Sequence, residues 1–353
     1  MERRKSKKIK VGKIYVGGGY PISVQSMTNT DSSNYDATYL QIKKLADAGC
    51  DIVRMTVPDI ESVRTVYKLK NSDIDIPIVA DIHFDYKMAV EAANAGADKI
   101  RINPGNIGDE SRVKAVVEAC NKNNIPIRIG VNSGSLEKSI LEKYGRPSGE
   151  ALAESALYHA GILEKFDFTN IILAVKSSRV EDMISANRIL SEKTDYALHL
   201  GVTEAGTVHK GLIKSAAGIG SLLLDGIGDT IRVSLTADPT EEVREGRAIL
   251  SALGLVESNN INIISCPTCG RTKIDIIGIV NEFEKRVTNL ETNRKIDVAI
   301  MGCVVNGPGE AKECDIGIAG GVGEAVLFKK GQVVRKISEE RIIEELIDEI
   351  KKM

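Results

Sequence analysis

Ala46-Asp47-Ala48-Gly49-Cys50-Asp51-Ile52-Val53-Arg54 returns, position for position, as Ala93-Asn94-Ala95-Gly96-Ala97-Asp98-Lys99-Ile100-Arg101. Each copy reads as a helix end, a glycine C-cap, an aspartate, a short apolar strand and an arginine. Weaker copies, Asn123-Asn124-Ile125-Pro126-Ile127-Arg128 and Gly228-Asp229-Thr230-Ile231-Arg232, put an arginine at the same point of two more strands. Outward from the repeat, apolar runs alternate with longer helix-like segments: Ile22 to Met27, Ile52 to Val57, Pro77 to Ile82, Lys99 to Ile102, Pro126 to Val131, Ile171 to Val175, Ala197 to Val202 and Thr230 to Leu235. That is the pattern of βα units around a parallel sheet. Eight units in about 250 residues match a (β/α)8 TIM barrel, an α/β fold, with a doubly wound open sheet as the competing architecture.

Asp238-Pro239-Thr240 starts a helix that ends at Gly254, which divides the chain into a substrate-binding barrel over 1–254 and a smaller α+β domain over 255–353. In the second domain Ala325 to Phe328 and Val333 to Ile337 read as a hairpin, and Ser338 as the cap of a final amphipathic helix.

A chain of 353 residues, 42% of them hydrophobic, can bury a large core. Its net charge of -2 argues against a general nucleic-acid or anionic-membrane binder, and no stretch reaches the ~18 uninterrupted apolar residues of a membrane span. The basic run Met1 to Lys8 is not followed by the apolar segment of a signal peptide and reads as a solvated tail. Six cysteines, three of them clustered, suit a reducing cytoplasm better than a secreted disulfide framework. Gly218-Ile219-Gly220 and Gly320-Gly321-Val322-Gly323 do not complete a dinucleotide loop, so no nicotinamide site is expected.

An arginine inside an apolar strand is unfavourable unless something anionic meets it. Barrel active sites lie at the C-terminal ends of the strands, where Arg54, Arg101, Arg128, Lys176 and Arg232 would converge. Internal pairing with Asp81 or Glu204 could absorb part of this charge; five cations point instead to a ligand with several negative charges, and a diphosphate fits bidentate guanidinium forks. Gln25, Asn29, Asp81, His83, Asn103, Asn132, Ser177, His199, Glu204 and Ser234 are polar groups near the same strand ends. Glu204 is the general-acid candidate, a role that would need its pKa raised by burial.

Near the C-terminus, Ser265-Cys266-Pro267-Thr268-Cys269-Gly270-Arg271 and Met301-Gly302-Cys303 follow two further apolar runs. Soft thiolates at C-x-x-C spacing suit zinc or an iron-sulfur cluster. With Cys314 as fourth ligand the group would be a structural zinc ribbon, so a phosphate-ligand barrel enzyme with a zinc domain and an iron-sulfur carrier or sensor are the competing readings.

Val24-Gln25-Ser26-Met27-Thr28-Asn29-Thr30, Ala80-Asp81-Ile82-His83-Phe84, Arg101-Ile102-Asn103-Pro104-Gly105-Asn106, Arg128-Ile129-Gly130-Val131-Asn132-Ser133-Gly134-Ser135 and Gly302-Cys303-Val304-Val305-Asn306-Gly307-Pro308-Gly309-Glu310, with the C-x-x-C segment, resemble the bacterial two-domain 4-hydroxy-3-methylbut-2-enyl diphosphate synthases. The resemblance covers nearly the whole chain. It implies a TIM barrel followed by a ferredoxin-like, sulfite-reductase-like domain with a [4Fe-4S] cluster. It also implies reductive ring opening and dehydration of 2-C-methyl-D-erythritol 2,4-cyclodiphosphate in the methylerythritol phosphate route to isoprenoids. Carried over, the cluster ligands are Cys266, Cys269, Cys303 and Glu310, with Glu310 exchangeable during catalysis; Cys314 lies outside the pattern. The diphosphate contacts fall on Arg54, Arg101, Asn103, Arg128, Asn132, Lys176, Arg232 and Ser234, and the proton donor on Glu204; Asp81, His83 and His199 complete the expected substrate set. Ferredoxin or flavodoxin is the implied electron donor. The implied assembly is a homodimer in which one subunit's cluster domain covers the partner's barrel.

Overall fold

The computed structural model describes residues 2–256, 261–288, 290, 292–305 and 312–353. The chain forms two compact units, Met1–Val256 and Glu257–Met353, so the division falls two residues beyond the expected one.

In the first unit an antiparallel hairpin, β1 (Ile9–Val11) and β2 (Ile14–Val16), precedes eight barrel strands. These are β3 (Ser23–Met27), β4 (Ile52–Thr56), β5 (Ile78–Asp81), β6 (Lys99–Ile102), β7 (Ile127–Asn132), β8 (Ile171–Lys176), β9 (Ala197–Leu200) and β10 (Thr230–Ile231). All are parallel, and β10 closes the ring between β9 and β3. The TIM barrel is therefore the architecture, and the open sheet is excluded. The last strand is shorter than expected. Arg232 still donates its N–H to Leu200 (2.9 Å), but Leu235 turns away and donates to the Glu242 carboxylate instead (3.1 Å).

The repeat has a structural meaning. Gly49 and Gly96 end their helices at φ 90° and 94°, a conformation that side-chain-bearing residues resist. The aspartate before each strand then accepts the N–H of a neighbouring strand: Asp51 from Val24 (2.7 Å), Asp98 from Ile78 (2.8 Å) and Asp229 from Leu198 (2.8 Å). These bonds pin the N-terminal rim in register, which sets the levels at the opposite rim.

The basic N-terminal run is not a solvated tail. Arg3 reaches the Gly228 carbonyl and Asp229, and Arg4 the carbonyls of Ser191 and Tyr196, because chain ends at the barrel floor offer carbonyls that need donors. The hairpin continues this seal: Ile9, Val11 and Val16 pack on Ile52, Val79, Ile172 and Ala197 inside the barrel floor.

The second unit is a mixed sheet of β11 (Ile261–Ser265), β12 (Ile296–Met301), β13 (Ile316–Gly320), β14 (Glu324–Lys329) and β15 (Gln332–Ser338), in that order. The first three are parallel and the last three antiparallel. Its core combines Val298, Ile300 and Ile318 with Phe283 of the helix Ile276–Val287 and Leu346 of the helix Ile342–Ile350. The expected hairpin is present. Ser338 instead leads into a 3₁₀ turn, Glu339–Arg341, and makes no side-chain cap. Among the described residues no helix is long and apolar enough to cross a membrane.

Candidate active site

Strand register gathers the basic residues at the C-terminal rim. Arg54 is level with Met27, Asp81 with Arg101, Arg101 with Arg128, and Asn132 with Lys176. Arg54, Asp81, His83, Arg101, Arg128, Asn132, Lys176, Arg232 and Ser234 line one recess of about 120 Å³ with Gly130, Ala174 and Thr203.

Internal pairing meets part of the charge. Asp81, 2% exposed, takes Arg101 Nη1 at 3.0 Å and Arg54 Nε at 3.4 Å. Burial alone would push this carboxyl up, but Arg54, Arg101, His83 and Arg128 together bring it down to about 2. Glu204 is not the second acid. That role belongs to Glu242, buried on the helix Pro239–Ala252, which accepts Arg232 Nε (3.1 Å) and Nη2 (3.2 Å).

The remaining charge is unmatched. Arg128, 1% exposed, has no hydrogen-bond partner for Nε or Nη1 among the described residues. Burial, then Arg54 and Arg101, hold its pKa well below the usual arginine range. Burial also brings Arg54 down to about 10, partly offset by Asp81. Lys176 is pushed well below its ordinary value by burial and by Arg232, Arg54 and Arg128. Beneath them lies Lys99, fully buried, whose Nζ is 3.4 Å from Gln25 Oε1 and whose pKa burial and Arg128 depress strongly. Six cationic side chains thus share two carboxylates. Such a cluster is preorganised for a polyanion, because an entering ligand supplies the charge the fold withholds.

Three expected contacts sit elsewhere. Asn103 is buried and uses Oδ1 to accept Gly105 N (3.2 Å), capping the single turn Pro104–Ile107 rather than lining the recess. His199 is 0% exposed in the barrel interior, level with Thr230, and its Nδ1 meets the Thr230 hydroxyl. Burial and the surrounding cations hold it well below the usual histidine range, so it is an interior residue and not a surface contact. Glu204 is exposed, so the burial expected of it is absent; it follows Thr203 on the loop after β9, in left-handed backbone at φ 51°. Of the other polar groups, Asn29 bonds Gln41 (2.9 Å to its N–H), and Ser177 Oγ accepts Arg179 N (3.1 Å).

Sequence reasoning missed Lys99, Glu242 and Gly130. Lys99 stands two positions before Arg101 in the repeat, the spacing that puts both on the inner face. Glu242 gave no signal, since acids are common in a first helical turn. Gly130 lies inside a strand, a mark of close approach: a Cβ there would stand 2.4 Å from Arg101 Nε and 2.7 Å from Nη2.

In the second unit Cys266 follows β11, Cys269 lies in the next turn and Cys303 follows β12. The turn is tied to the strand exit by Lys273 N donating to the Gly302 carbonyl (2.9 Å), and Gly302 N donates to Cys266 Sγ (3.2 Å). The Arg271 N–H, opposed by slight burial and aided by Thr272, holds the Cys269 thiol below its ordinary range. Three thiols at one sheet edge, two of them receiving N–H bonds, fit a soft metal or iron-sulfur cluster. Among the described residues no three ligating side chains close on a common centre, and Glu310 lies outside the described residues. Cys314 is at the other end of the sheet. The Val298–Ile316 register and the Asp315 N to Asp297 O bond put it level with Ile296, roughly 16 Å below Met301 at about 3.3 Å per strand residue. Its buried side chain packs in an apolar cluster with Ala299, Met301, Ala319 and Phe328, and among the described residues it does not join the other thiols in a group that could hold a metal ion.

Comparison with known proteins matches residues 6–247 to the GcpE TIM-barrel domain and 262–352 to the GcpE protein C-terminal domain. A protein of Clostridium perfringens named 4-hydroxy-3-methylbut-2-en-1-yl diphosphate synthase (flavodoxin) is 57% identical over 347 residues, 98% of each chain. A protein of the same name from Clostridium acetobutylicum is 56% identical over the full length of both. Among solved structures, a dihydropteroate synthase of Coxiella burnetii superposes with a TM-score of 0.51 at 12% identity, covering 70% of this chain and 98% of that one. That likeness is one of barrel fold.

Proposed function

The chain belongs to the GcpE family, and from that membership we propose that it catalyses the two-electron reductive ring opening and dehydration of 2-C-methyl-D-erythritol 2,4-cyclodiphosphate to 4-hydroxy-3-methylbut-2-enyl diphosphate. The observation that carries this reading is the unmatched buried charge of the barrel mouth. The unpartnered Nε and Nη1 of Arg128 leave donors on two sides of its guanidinium for phosphoryl oxygens. Arg54 and Arg101, held by Asp81, and Arg232, held by Glu242, present fixed donors that need no reorganisation when substrate enters.

In the reaction two electrons enter, the ring carbon–oxygen bond and the adjacent carbon–hydroxyl bond break, a carbon–carbon double bond forms, and the hydroxyl leaves as water with a proton from an acid beside it. Glu204, next to recess-lining Thr203, is the proton donor in this proposal. Cys266, Cys269 and Cys303, with Glu310, hold the cofactor, and a [4Fe-4S] cluster bound there supplies electrons singly. The name of the relatives favours flavodoxin over ferredoxin as donor. A homodimer brings one subunit's cluster domain to the partner's barrel, and the reducing cytoplasm, our proposed location, keeps the free thiols available.

The test is metal analysis of protein purified without oxygen. Four irons and four acid-labile sulfides per chain, lost in Cys303→Ala and kept in Cys314→Ala, support the proposal. Stoichiometric zinc without sulfide overturns it.

A further inference from the structure

We propose that Glu137 and His159 are positioning residues that hold the two asparagine-bearing loops of the mouth as one unit. The inference rests on the diphosphate reading of that mouth. Neither residue lines the recess; both touch segments that leave β6 and β7, the strands whose Arg101, Arg128 and Asn132 do.

His159 lies in the helix Gly149–Glu164, which Ser148 caps and which places Leu152, Ala156 and Leu163 in the barrel core. Its side chain is 0% exposed, and Nε2 meets Glu137 Oε1. Glu137 stands five residues beyond Asn132, after the 3₁₀ turn Ser133–Ser135. This contact ties the loop leaving β7 to a long helix. The other face of the ring supports the loop leaving β6: a Cβ on Gly105 would stand 3.1 Å from His159 Cε1, so the glycine backbone lies directly on the imidazole. Gly105 N in turn donates to Asn103 Oδ1. The turn Pro104–Ile107 is four residues long, too short to persist without tertiary support.

One imidazole thus contacts both loops, one beginning two residues after Arg101 and the other just after Asn132. A polar pair in this position adds less stability than apolar residues of equal volume would; what it adds is direction, fixing the loops against each other. Burial outweighs Glu137 and lowers the His159 pKa; Nε2 and Glu137 Oε1 meet without hydrogen-bond geometry, so the hold is the packed contact of the two side chains.

Glu137→Gln and His159→Gln keep side-chain size and test the idea in the full-length protein with inorganic diphosphate as probe. Each variant is expected to weaken diphosphate binding at least about tenfold, the scale of a misplacement near 1 Å, with kcat reduced less than KM is raised. Hydrogen exchange should accelerate together in segments 103–108 and 132–137 of the unliganded variants. Unchanged affinity with a lower Tm, or faster exchange in one segment alone, overturns the inference. Should His159→Gln fail to fold, Glu137→Gln, whose side chain is 22% exposed, decides alone. If wild-type protein itself does not bind diphosphate, the functional reading fails, and the exchange result still decides whether the loops are joined.

Discussion

Arg232 lays two nitrogens on the Glu242 carboxylate, at 3.1 and 3.2 Å, and the same carboxylate also takes Ser26 Oγ at 2.9 Å and Leu235 N at 3.1 Å. One buried acid therefore aims a recess arginine, anchors β3 and bends the chain out of β10. Glu242→Gln removes the charge and leaves Arg232 uncompensated, and breaking such pairs costs about 3–5 kcal/mol. Thermal unfolding should show Tm lower by about 5 °C or more, with saturating diphosphate recovering part of the loss by binding the orphaned cation.

Gly130→Ala should leave the fold intact and displace Arg101, whose Nε would lie 2.4 Å from the new methyl group. The expected result is a fall of about 100-fold in kcat/KM at nearly unchanged Tm; full activity would mean that Arg101 does not hold substrate from its present position.

Lys99 is a thinly supported cation, 3.4 Å from one amide oxygen with Arg128 and Arg54 nearby. Lys99→Met should raise stability by about 1 kcal/mol or more, or roughly 2–4 °C in Tm. A fall in Tm would mean that the amine carries hydrogen bonds the fold depends on.

Diphosphate binding should be coupled to proton uptake. Lys176 is held well below its ordinary pKa by burial and cationic neighbours in the free protein, and an anion beside it favours the charged form. Affinity should then be highest below the depressed value of the free state and fall as pH rises from there toward the raised value of the complex. Calorimetry in buffers of different ionisation enthalpy measures the uptake; zero proton exchange across the window would refute the coupling.

If each active centre combines two subunits, mixing Arg101→Ala with Cys303→Ala protein should restore part of the activity that neither has alone. No recovery, under conditions where subunit exchange is demonstrated, would assign barrel and thiols to one chain.

The barrel was legible because its repeat encodes both the helix stop and the strand that follows, and because arginine recurs at one inner level of four strands. Arg54, Arg101, Arg128 and Arg232 of the recess followed from that recurrence. Glu242 did not, since its role depends on a helix from the end of the barrel folding back against β3, a relation that local sequence does not express. The local sequence also did not show that Asn103 caps a turn and that His199 meets Thr230 inside the barrel, because at strand ends such a residue reads like one that waits for a ligand. The N-terminal arginines were misread because charge alone does not distinguish water from a rim of carbonyls.

The plug of Arg3, Arg4 and the β1–β2 hairpin at the barrel floor also governs traffic. With that end sealed by the chain itself and the interior packed by Lys99, His199 and Arg128, the recess opens only at its own rim, and whatever it binds enters and leaves there. Anything that shields the chemistry from water at that doorway has to lift once per turnover, so release and admission compete for one threshold.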